Sequence, residues 1–332
     1  MTSIIDVAKL AGVSISTVSR VMNDHPNVSE KKREVVMKAI TELNYVPNAL
    51  AQGLVKKKTN SVAILISDIT NIFYAYLVKS IEEVLNTEGY HILIGNTEWD
   101  NNKEKEYIQY MLQKQVDGFI LISSTLEQDY LNNLTNNDIP IVMLDRERKV
   151  DKIDYIRVDD YYGGYTAGQH LIKCGYEYII HLAGPPGLAS AEDRKQGILK
   201  SIKDIGLHEE NYMIVQGSYR EESGIRIMTD LLTHINKKES CGIFAANDAM
   251  ALGVLKILND KGIDCPGKVG LVGFDDISFA QYTNPSLTTV NRPITKIGNT
   301  AAKIILQRIE NKNYPYQDIQ LDVKLVKRGS TR

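Results

Sequence analysis

The stretch GVSISTVSR, residues 12–20, begins with a glycine and then carries four hydroxyl side chains within six residues. The preceding segment, IIDVAKLA at 4–11, repeats apolar residues at the i, i+3, i+4, i+7 spacing of a helix face. Gly12 permits a sharp turn, and Ser14 is expected to cap a second helix. A third helix is predicted over 30–43 after the N-cap Ser29. Three short helices with a tight first turn are typical of a helix-turn-helix unit. The second helix is expected to bury Val18, Val21 and Met22, and the third Val35, Val36, Ala39, Ile40 and Leu43.

The outer face of the second helix predicts contact with double-stranded DNA. Ile15, Ser16, Thr17 and Arg20 share that surface, and small hydroxyls let a backbone approach the floor of the major groove. Arg20 offers two parallel donors suited to guanine, and Ile15 suits a thymine methyl group. A polar helix surface without a partner is the alternative, but it leaves the exposed Ile15 and the lack of acidic residues unexplained.

The charge distribution supports DNA contact by the first sixty residues alone. The whole chain has a formal net charge of −2. Residues 1–60 carry nine Lys and Arg against five Asp and Glu, a balance of +4, which leaves thirty against thirty-six, a balance of −6, for the remainder. A basic head on an acidic body indicates that only the head meets a polyanion.

Length and composition exclude several classes of protein. The chain has 332 residues, enough for two or three domains, and no apolar run approaches the roughly 18 residues that cross a bilayer. A secretion signal is not expected, and Cys174, Cys241 and Cys265 fit neither a metal cluster nor a disulfide framework. These features predict a cytoplasmic protein without a metal, a cofactor or a membrane partner.

Two segments within residues 4–66 resemble a known family. IIDVAKLAGVSISTVSRVMN, followed by VSEKKREVVMKAITELNYVPNALAQGLVKKKTNSVAILI, is similar to the DNA-binding head and hinge of lactose-repressor (LacI) family transcription regulators. The resemblance implies a head at 1–58 and an effector-binding and dimerisation domain at 59–332. It also implies that Ile15, Ser16 and Arg20 read bases. Residues implied to lie near the phosphates are Ser14, Thr17, Asn23 and Tyr45.

The resemblance extends to a hinge helix at about 48–56. In the family this segment becomes helical when two subunits pair over the operator, and a leucine from each subunit enters the minor groove. Leu54 occupies that position, and Lys56 lies close enough to neutralise phosphate. Gln52 stands where the family commonly has arginine. A plain basic linker is the alternative, and an exposed Leu54 counts against it. A homodimer on a pseudo-palindromic operator follows from this geometry.

The remaining residues alternate strand-like apolar runs with amphipathic helical stretches. Buried parallel strands are predicted at 62–67, 90–95, 118–123, 139–144, 178–183, 241–246 and 270–274. Helices are predicted at 74–88, 102–114, 161–174, 192–204, 221–235 and 248–261. This order calls for doubly wound parallel sheets in two lobes that meet near 160 and 290, with a ligand at the carboxyl ends of the strands.

The same region resembles the periplasmic sugar-binding fold (type I), and the likeness implies an effector site between the lobes. An Asn followed by two aromatics can bind and stack on a sugar, and an Asp-Arg pair can hold a polyol. Phe73 and Tyr74 can equally be core residues, and Asp248 is interpreted as the N-cap of the following helix. The expected effector-binding residues are Asn71, Phe73, Tyr74, Asp145, Arg146, Arg194, Tyr219, Asn247, Asp275 and Asn291.

These residues favour a regulator, expected to be a repressor, whose operator affinity depends on a small sugar, a pentose such as ribose being one candidate. Two alternatives within the family stay open. One is a catabolite-control regulator that uses a phosphorylated carrier protein as corepressor, and the other is a purine-responsive repressor. An α/β enzyme is disfavoured because the sequence contains no Walker loop, no GxGxxG after a strand, no GxSxG and no HExxH. No catalytic residue is predicted.

Overall fold

The computed structural model describes residues 2–45, 58–146 and 150–332. These residues form two compact units, Met1–Thr59 and Asn60–Arg332. The predicted hinge helix at about 48–56, with Leu54 and Lys56, lies outside the described residues.

The N-terminal unit contains three helices, α1 (Ile4–Ala11), α2 (Ile15–Met22) and α3 (Glu30–Glu42). Gly12 ends α1 with a φ of 64°, a left-handed conformation that glycine adopts without steric cost. Ser14 caps α2, since its hydroxyl accepts a hydrogen bond from the amide of Thr17 at 3.2 Å. The core of the unit consists of Val7, Ala8, Ala11, Val18, Val21, Val36 and Ala39.

Two details of α3 differ from the prediction. Val35 is 43% exposed, whereas the adjacent Val36 is fully buried, because consecutive helix positions point about 100° apart. Ser29 occupies the N-cap position but its side chain makes no capping hydrogen bond. The prediction that Val35 is buried was therefore wrong.

The second unit contains two six-stranded sheets. The first has the order β11-β5-β4-β3-β1-β2, and every neighbouring pair is parallel. We call this half the N-lobe. Its strands are β1 (Ser61–Ile66), β2 (His91–Asn96), β3 (Gly118–Ile122), β4 (Ile141–Leu144), β5 (Asp154–Val158) and β11 (Asp318–Leu321).

The second sheet, that of the C-lobe, has the order β12-β10-β9-β8-β6-β7. Only the pairing of β10 with β12 is antiparallel within it. Its strands are β6 (Tyr178–Ala183), β7 (Tyr212–Gln216), β8 (Cys241–Ala245), β9 (Val269–Asp275), β10 (Thr288–Asn291) and β12 (Lys324–Val326).

Helices connect the parallel strands and cover both faces of the sheets. The N-lobe helices are α4 (Ile72–Thr87), α5 (Asn101–Gln113), α6 (Gln128–Thr135) and α11 (Ile294–Glu310). The C-lobe helices are α7 (Asp160–Lys173), α8 (Ala189–Asp204), α9 (Glu221–Asn236) and α10 (Asp248–Asp260). The chain passes between the sheets after β5, after β10 and between β11 and β12.

The predicted doubly wound parallel architecture is confirmed, with corrections at the sheet edges. Strand β2 was expected to be buried, but Leu93 and Ile94 are 37% and 42% exposed because β2 is an edge strand. Strands β5, β7, β10, β11 and β12 and helices α6 and α11 were not predicted. Among the described helices, none is both long and apolar enough to cross a membrane.

Candidate functional site

The carboxyl ends of strands from both sheets meet in a cleft. Ser123 follows β3, Asp145 follows β4, and Asp275 ends β9. All three have positive φ angles, 52°, 61° and 115° respectively, which residues other than glycine seldom adopt. Such strained backbone persists where the surrounding structure enforces it, commonly at functional sites. The backbone here turns three polar side chains toward one space.

Arg292 joins the two carboxylates of this cleft. It follows β10 and is only 5% exposed, and its guanidinium forms an ion pair with Asp145 and lies 3.6 Å from Asp275. The same guanidinium lies over the ring of Phe73, 4.4 Å from its centroid. Arg292, which follows a strand of the C-lobe, therefore contacts Asp145 of the N-lobe and Asp275 of the C-lobe. Arg292 is not among the effector-binding residues predicted from the sequence, although an arginine immediately after a strand at this edge indicates a ligand-binding residue.

Three residues at the start of α4 form one wall. Asn71 is the N-cap of α4, and its side-chain oxygen accepts a hydrogen bond from the amide of Phe73 at 3.0 Å. The rings of Phe73 and Tyr74 pack edge to face with centroids 5.3 Å apart. Burial raises the pKa of Tyr74 to about 12, so its hydroxyl stays neutral. It lies 3.5 Å from the hydroxyl of Ser123.

The opposite wall is organised by Arg194 of α8, which is almost completely buried. Its Nε donates to Asp160 at 2.7 Å, and Nη1 donates to the carbonyl of Ala246 at 2.5 Å. Its guanidinium carbon is 3.6 Å from the ring centroid of Phe274. These contacts connect the first residue of α7 with α8 and the end of β8. Arg194 lines the cleft, but most of its donors serve the fold.

Tyr219 and Asn247 are similarly tied to the protein. The Tyr219 hydroxyl is 3.3 Å from that of Ser190. Asn247 is the N-cap of α10, where its Oδ1 accepts from the amide of Met250 and its Nδ2 donates to the carbonyl of Tyr219. Asn247, rather than Asp248, caps this helix, so the interpretation of Asp248 as the N-cap was wrong. The buried Asp248 accepts hydrogen bonds from Thr289 at 2.6 Å and from the amide of Ile277 at 2.9 Å.

The cavity enclosed by these walls has a volume of about 20 Å³, little more than the space of one water molecule. Of the ten predicted effector residues, eight line it, and Ser123, Ser190 and Arg292 line it as well. Arg146 lies instead in an adjoining compartment that shares Ser123, Asp145 and Ser190 with the cavity. The structure places Asn291 outside both, where its Nδ2 donates to Asp276 at 2.9 Å.

The carboxyl groups of the cleft differ from exposed ones in their acidity. Burial raises the pKa of Asp275 to about 6, although Arg194 and Arg292 favour the ionised form. Burial likewise raises the pKa of Asp160, against the opposing effect of Arg194. One Asp275 oxygen, Oδ1, has no hydrogen-bond partner among the described residues. A buried acceptor of this kind is complementary to a ligand hydroxyl.

In the N-terminal unit, α2 presents a connected group of hydroxyls. The Ser14 hydroxyl lies 2.8 Å from that of Ser16 and 2.9 Å from that of Thr17. Ile15 is 47% exposed at the start of the helix, and Arg20 is exposed five residues later in its last turn. At the C-cap, the Asn23 amide donates to the carbonyl of Ser19 at 2.9 Å. Tyr45 is half-buried against the helix core.

Comparison with known proteins agrees with both halves of this architecture. Residues 3–48 match bacterial regulatory proteins of the lacI family, and residues 169–331 match the periplasmic binding protein-like domain. The ribose operon repressor of Halalkalibacterium halodurans is 35% identical over 100% of this chain and 98% of its own length. The chain belongs to the LacI family of bacterial transcription regulators.

Other proteins similar to this LacI-family chain match most or all of its length. The transcriptional repressor PurR of Photobacterium profundum is 32% identical over 100% of this chain and 99% of its own length. The lac repressor dimer bound to operator and the anti-inducer ONPF has a TM-score of 0.85 at 27% identity, over 99% of this chain and 98% of that one. A LacI-family regulator from Enterococcus faecium with bound ribose has a TM-score of 0.75 at 29% identity, over 82% of this chain and 98% of that one.

Membership of the LacI family confirms the predicted family and the predicted class of DNA-binding transcription regulator. The relatives are named as repressors rather than as enzymes. The individual DNA-contacting and effector-contacting residues stay predictions.

Proposed function

We propose that this LacI-family protein is a repressor that binds a pseudo-palindromic operator as a homodimer and releases or tightens its hold when a sugar enters the cleft. The observation that carries this proposal is the convergence of Asp145, Asp275 and Arg292 beside Phe73 at the strand ends of both lobes. Carboxylates, an arginine and an aromatic face are the groups that bind the hydroxyls and the apolar face of a sugar.

The α2 surface supports the DNA-binding part of the proposal. Ile15, Ser16 and Arg20 are exposed together, while Val18 and Val21 are buried against α1 and α3. We infer that the exposed side chains face bases in the major groove, and that Ser14, Thr17, Asn23 and Tyr45 lie toward phosphates. Leu54 and Lys56 are proposed to act from the hinge, in the minor groove and on a phosphate respectively.

A dimer follows from the two-fold symmetry of such operators, and the N-lobe has an uncovered apolar edge. Ile69, Leu93 and Ile94 are all at least one-third exposed near β2. We infer that a second copy covers this edge, which would also bring two hinges together. The protein is proposed to act in the cytoplasm, where its DNA lies.

Effector and operator must influence each other by the same factor at equilibrium, because the coupling free energy is shared. The cleft joins two lobes, so a ligand that binds one arrangement of the lobes more tightly will favour that arrangement. Relatives named for ribose and for purine repression are similarly close in sequence, so both ligand classes belong in the test.

A thermal-shift screen of the full chain against D-ribose, other pentoses and hexoses, hypoxanthine and guanine tests this proposal. A ligand at a hundred times its Kd raises the stability of the folded state by about 2.7 kcal/mol, which such a screen detects. A shift with a sugar supports the proposal. A shift with a purine and none with any sugar would overturn it in favour of a purine-responsive repressor.

A phosphorylated carrier protein as the main corepressor is disfavoured by the N-lobe surface. Such a partner requires a basic outer patch, whereas α5 places the exposed Glu106 beside Lys103 and Lys105. Both lysines form ion pairs, Lys103 with Glu98 at 3.0 Å and Lys105 with Glu127 at 2.9 Å. A pull-down with the phosphorylated carrier is expected to recover no complex.

A further inference from the structure

The compartment beside the cavity differs from the cavity in its charge. In the cavity, Arg194 is paired with Asp160, and Arg292 is paired with Asp145 and lies near Asp275. In the compartment, Arg146 makes no ion pair with any described residue within 4.0 Å, and its buried Nη1 has no hydrogen-bond acceptor among them. A buried guanidinium N–H without an acceptor costs free energy that a ligand oxygen can recover.

The nearest buried carboxylate is already used by the protein. Glu104 of α5 accepts hydrogen bonds at its Oε2 from the amide and the hydroxyl of Thr125, at 3.0 and 3.1 Å. Asp145, which borders the compartment, is paired with Arg292. The charge of Glu104 interacts with that of Arg146, but among the described residues Arg146 has no ion pair within 4.0 Å.

Other groups around Arg146 are suited to an anion. The compartment has a volume of about 140 Å³, and Ser123, Ser124 and Ser190 contribute hydroxyls to its lining. The first residues of the sixteen-residue helix α8, Ala189 and Ser190, also line it. Leu188 occupies the N-cap position and has no side-chain oxygen with which to cap the helix. The N-terminal amides and the helix dipole add a positive potential to that of Arg146.

We propose that the effector is a monosaccharide that carries an acidic group, a carboxylate or a phosphate ester, and that this group binds Arg146 in the compartment. The sugar ring then lies beside Phe73 once the lobes separate enough to admit it, with a hydroxyl donating to Oδ1 of Asp275, which has no hydrogen-bond partner among the described residues. The shared residues Ser123, Asp145 and Ser190 make the two spaces contiguous, so one ligand can occupy both. This proposal rests on the proposed sugar-responsive function and narrows its ligand class.

A neutral sugar could also donate and accept within this site, but it would gain less. A charge-assisted hydrogen bond between arginine and an acidic oxygen is about twice as strong as a neutral one. The difference between a pentose and its acidic derivative therefore measures the contribution of Arg146. Carboxylate and phosphate derivatives distinguish the two sources of the charge.

The test is calorimetric titration of the full chain with D-ribose, D-riburonate, D-ribose 5-phosphate and inorganic phosphate. Variants Arg146→Gln and Arg146→Lys accompany the wild type, and Arg157→Gln is the matched control. Arg157 lies on β5, is about one-third exposed and pairs with Asp318 at 3.3 Å, so the same chemical change is made away from the cleft.

At least one acidic sugar is expected to bind about tenfold or more tightly than D-ribose, the effect of one charge-assisted hydrogen bond. Arg146→Gln should abolish that preference by weakening the acidic sugar at least about tenfold more than D-ribose, and Arg146→Lys should restore part of it. Arg157→Gln should bind like the wild type. Inorganic phosphate alone should bind weakly, since it lacks the contacts of the ring.

Two results would overturn the proposal. The first is D-ribose binding more tightly than both acidic derivatives. The second is Arg146→Gln weakening the neutral and the acidic sugar equally, which would mark Arg146 as a contact to the sugar ring. Either result leaves the sugar-responsive function intact. Binding of purines with no binding of any sugar, neutral or acidic, contradicts the proposed function itself.

Discussion

Asp275→Asn is expected to stabilise the folded protein at neutral pH while removing its response to sugar. Burial raises the pKa of Asp275 from 3.8 to about 6. Between those pH values the unfolded chain releases the proton and the folded chain retains it, so stability falls as the pH rises. A difference of about two pH units corresponds to roughly 3 kcal/mol, which the wild type loses between about pH 4 and pH 6.

The asparagine variant keeps the size of the side chain and an oxygen that can accept from Arg292, but it has no charge to desolvate. We expect its free energy of unfolding at pH 7 to exceed that of the wild type by up to about 3 kcal/mol, and the difference to vanish near pH 4. Urea denaturation of both proteins between pH 4 and pH 8 measures this. Comparing the two proteins removes the contributions of the buried carboxyls that do not interact with Asp275.

Asp154→Asn is the matched control with the opposite sign. Asp154 is fully buried. Its carboxylate accepts hydrogen bonds from Nε and Nη2 of Arg308, both at 3.0 Å, and from the backbone amide of Gln317. Breaking this pair should lower the stability by about 3–5 kcal/mol at pH 7. Two results would contradict the destabilisation of the ionised Asp275 by burial. One is a lower free energy of unfolding for Asp275→Asn than for the wild type at pH 7, and the other is an equal change in that free energy at pH 4 and pH 7.

Three further predictions concern the head and the lobes. Arg20→Ala should relax base preference at one position of each half-site and cost roughly 1–3 kcal/mol, measured by binding to operator variants; a uniform loss over all sequences would indicate a phosphate contact instead. Gly12→Ala should lower the melting temperature of the head, since a left-handed backbone costs a non-glycine residue about 1–2 kcal/mol although a methyl group has open space there. The only tryptophan, Trp99, lies 5.5 Å from Arg220, which pairs with Asp68 of the N-lobe at 3.1 Å, so saturating sugar should change its emission. An unchanged spectrum in a protein that binds sugar by calorimetry would show that this contact does not report on the lobes.

The sequence was sufficient for the parts of the structure that local physics determines. Apolar spacing and the turn glycine predicted α1 and α2, and continuous apolar runs predicted the central strands β1, β3, β6 and β8. The short edge strands β11 and β12 were missed because four and three residues carry too little pattern. Val35 and Val36 show the same limit, since composition alone does not say which of two adjacent valines faces the core.

The cleft was predictable by position but not by partner. Residues at strand ends had to meet at one edge of each sheet, and eight of the ten nominated effector residues do line the cavity. The role of Arg292 depends on residues far apart in the sequence, since it pairs with Asp145 across 147 positions. Pairings of that kind, like the capping of α10 by Asn247 rather than Asp248, follow from tertiary packing.

In the proposed repressor, binding of the sugar changes the affinity for the operator, and fluorescence anisotropy measures that change. Duplexes selected from a random library by the full chain are titrated by fluorescence anisotropy, with and without a saturating sugar from the panel that binds. We predict a selected site with two-fold symmetry and an operator Kd that the sugar changes by at least about fivefold, the lower range of allosteric coupling. A selected site without symmetry would contradict binding as a homodimer. An operator Kd unchanged by every sugar that binds would contradict the coupling of sugar binding to operator binding.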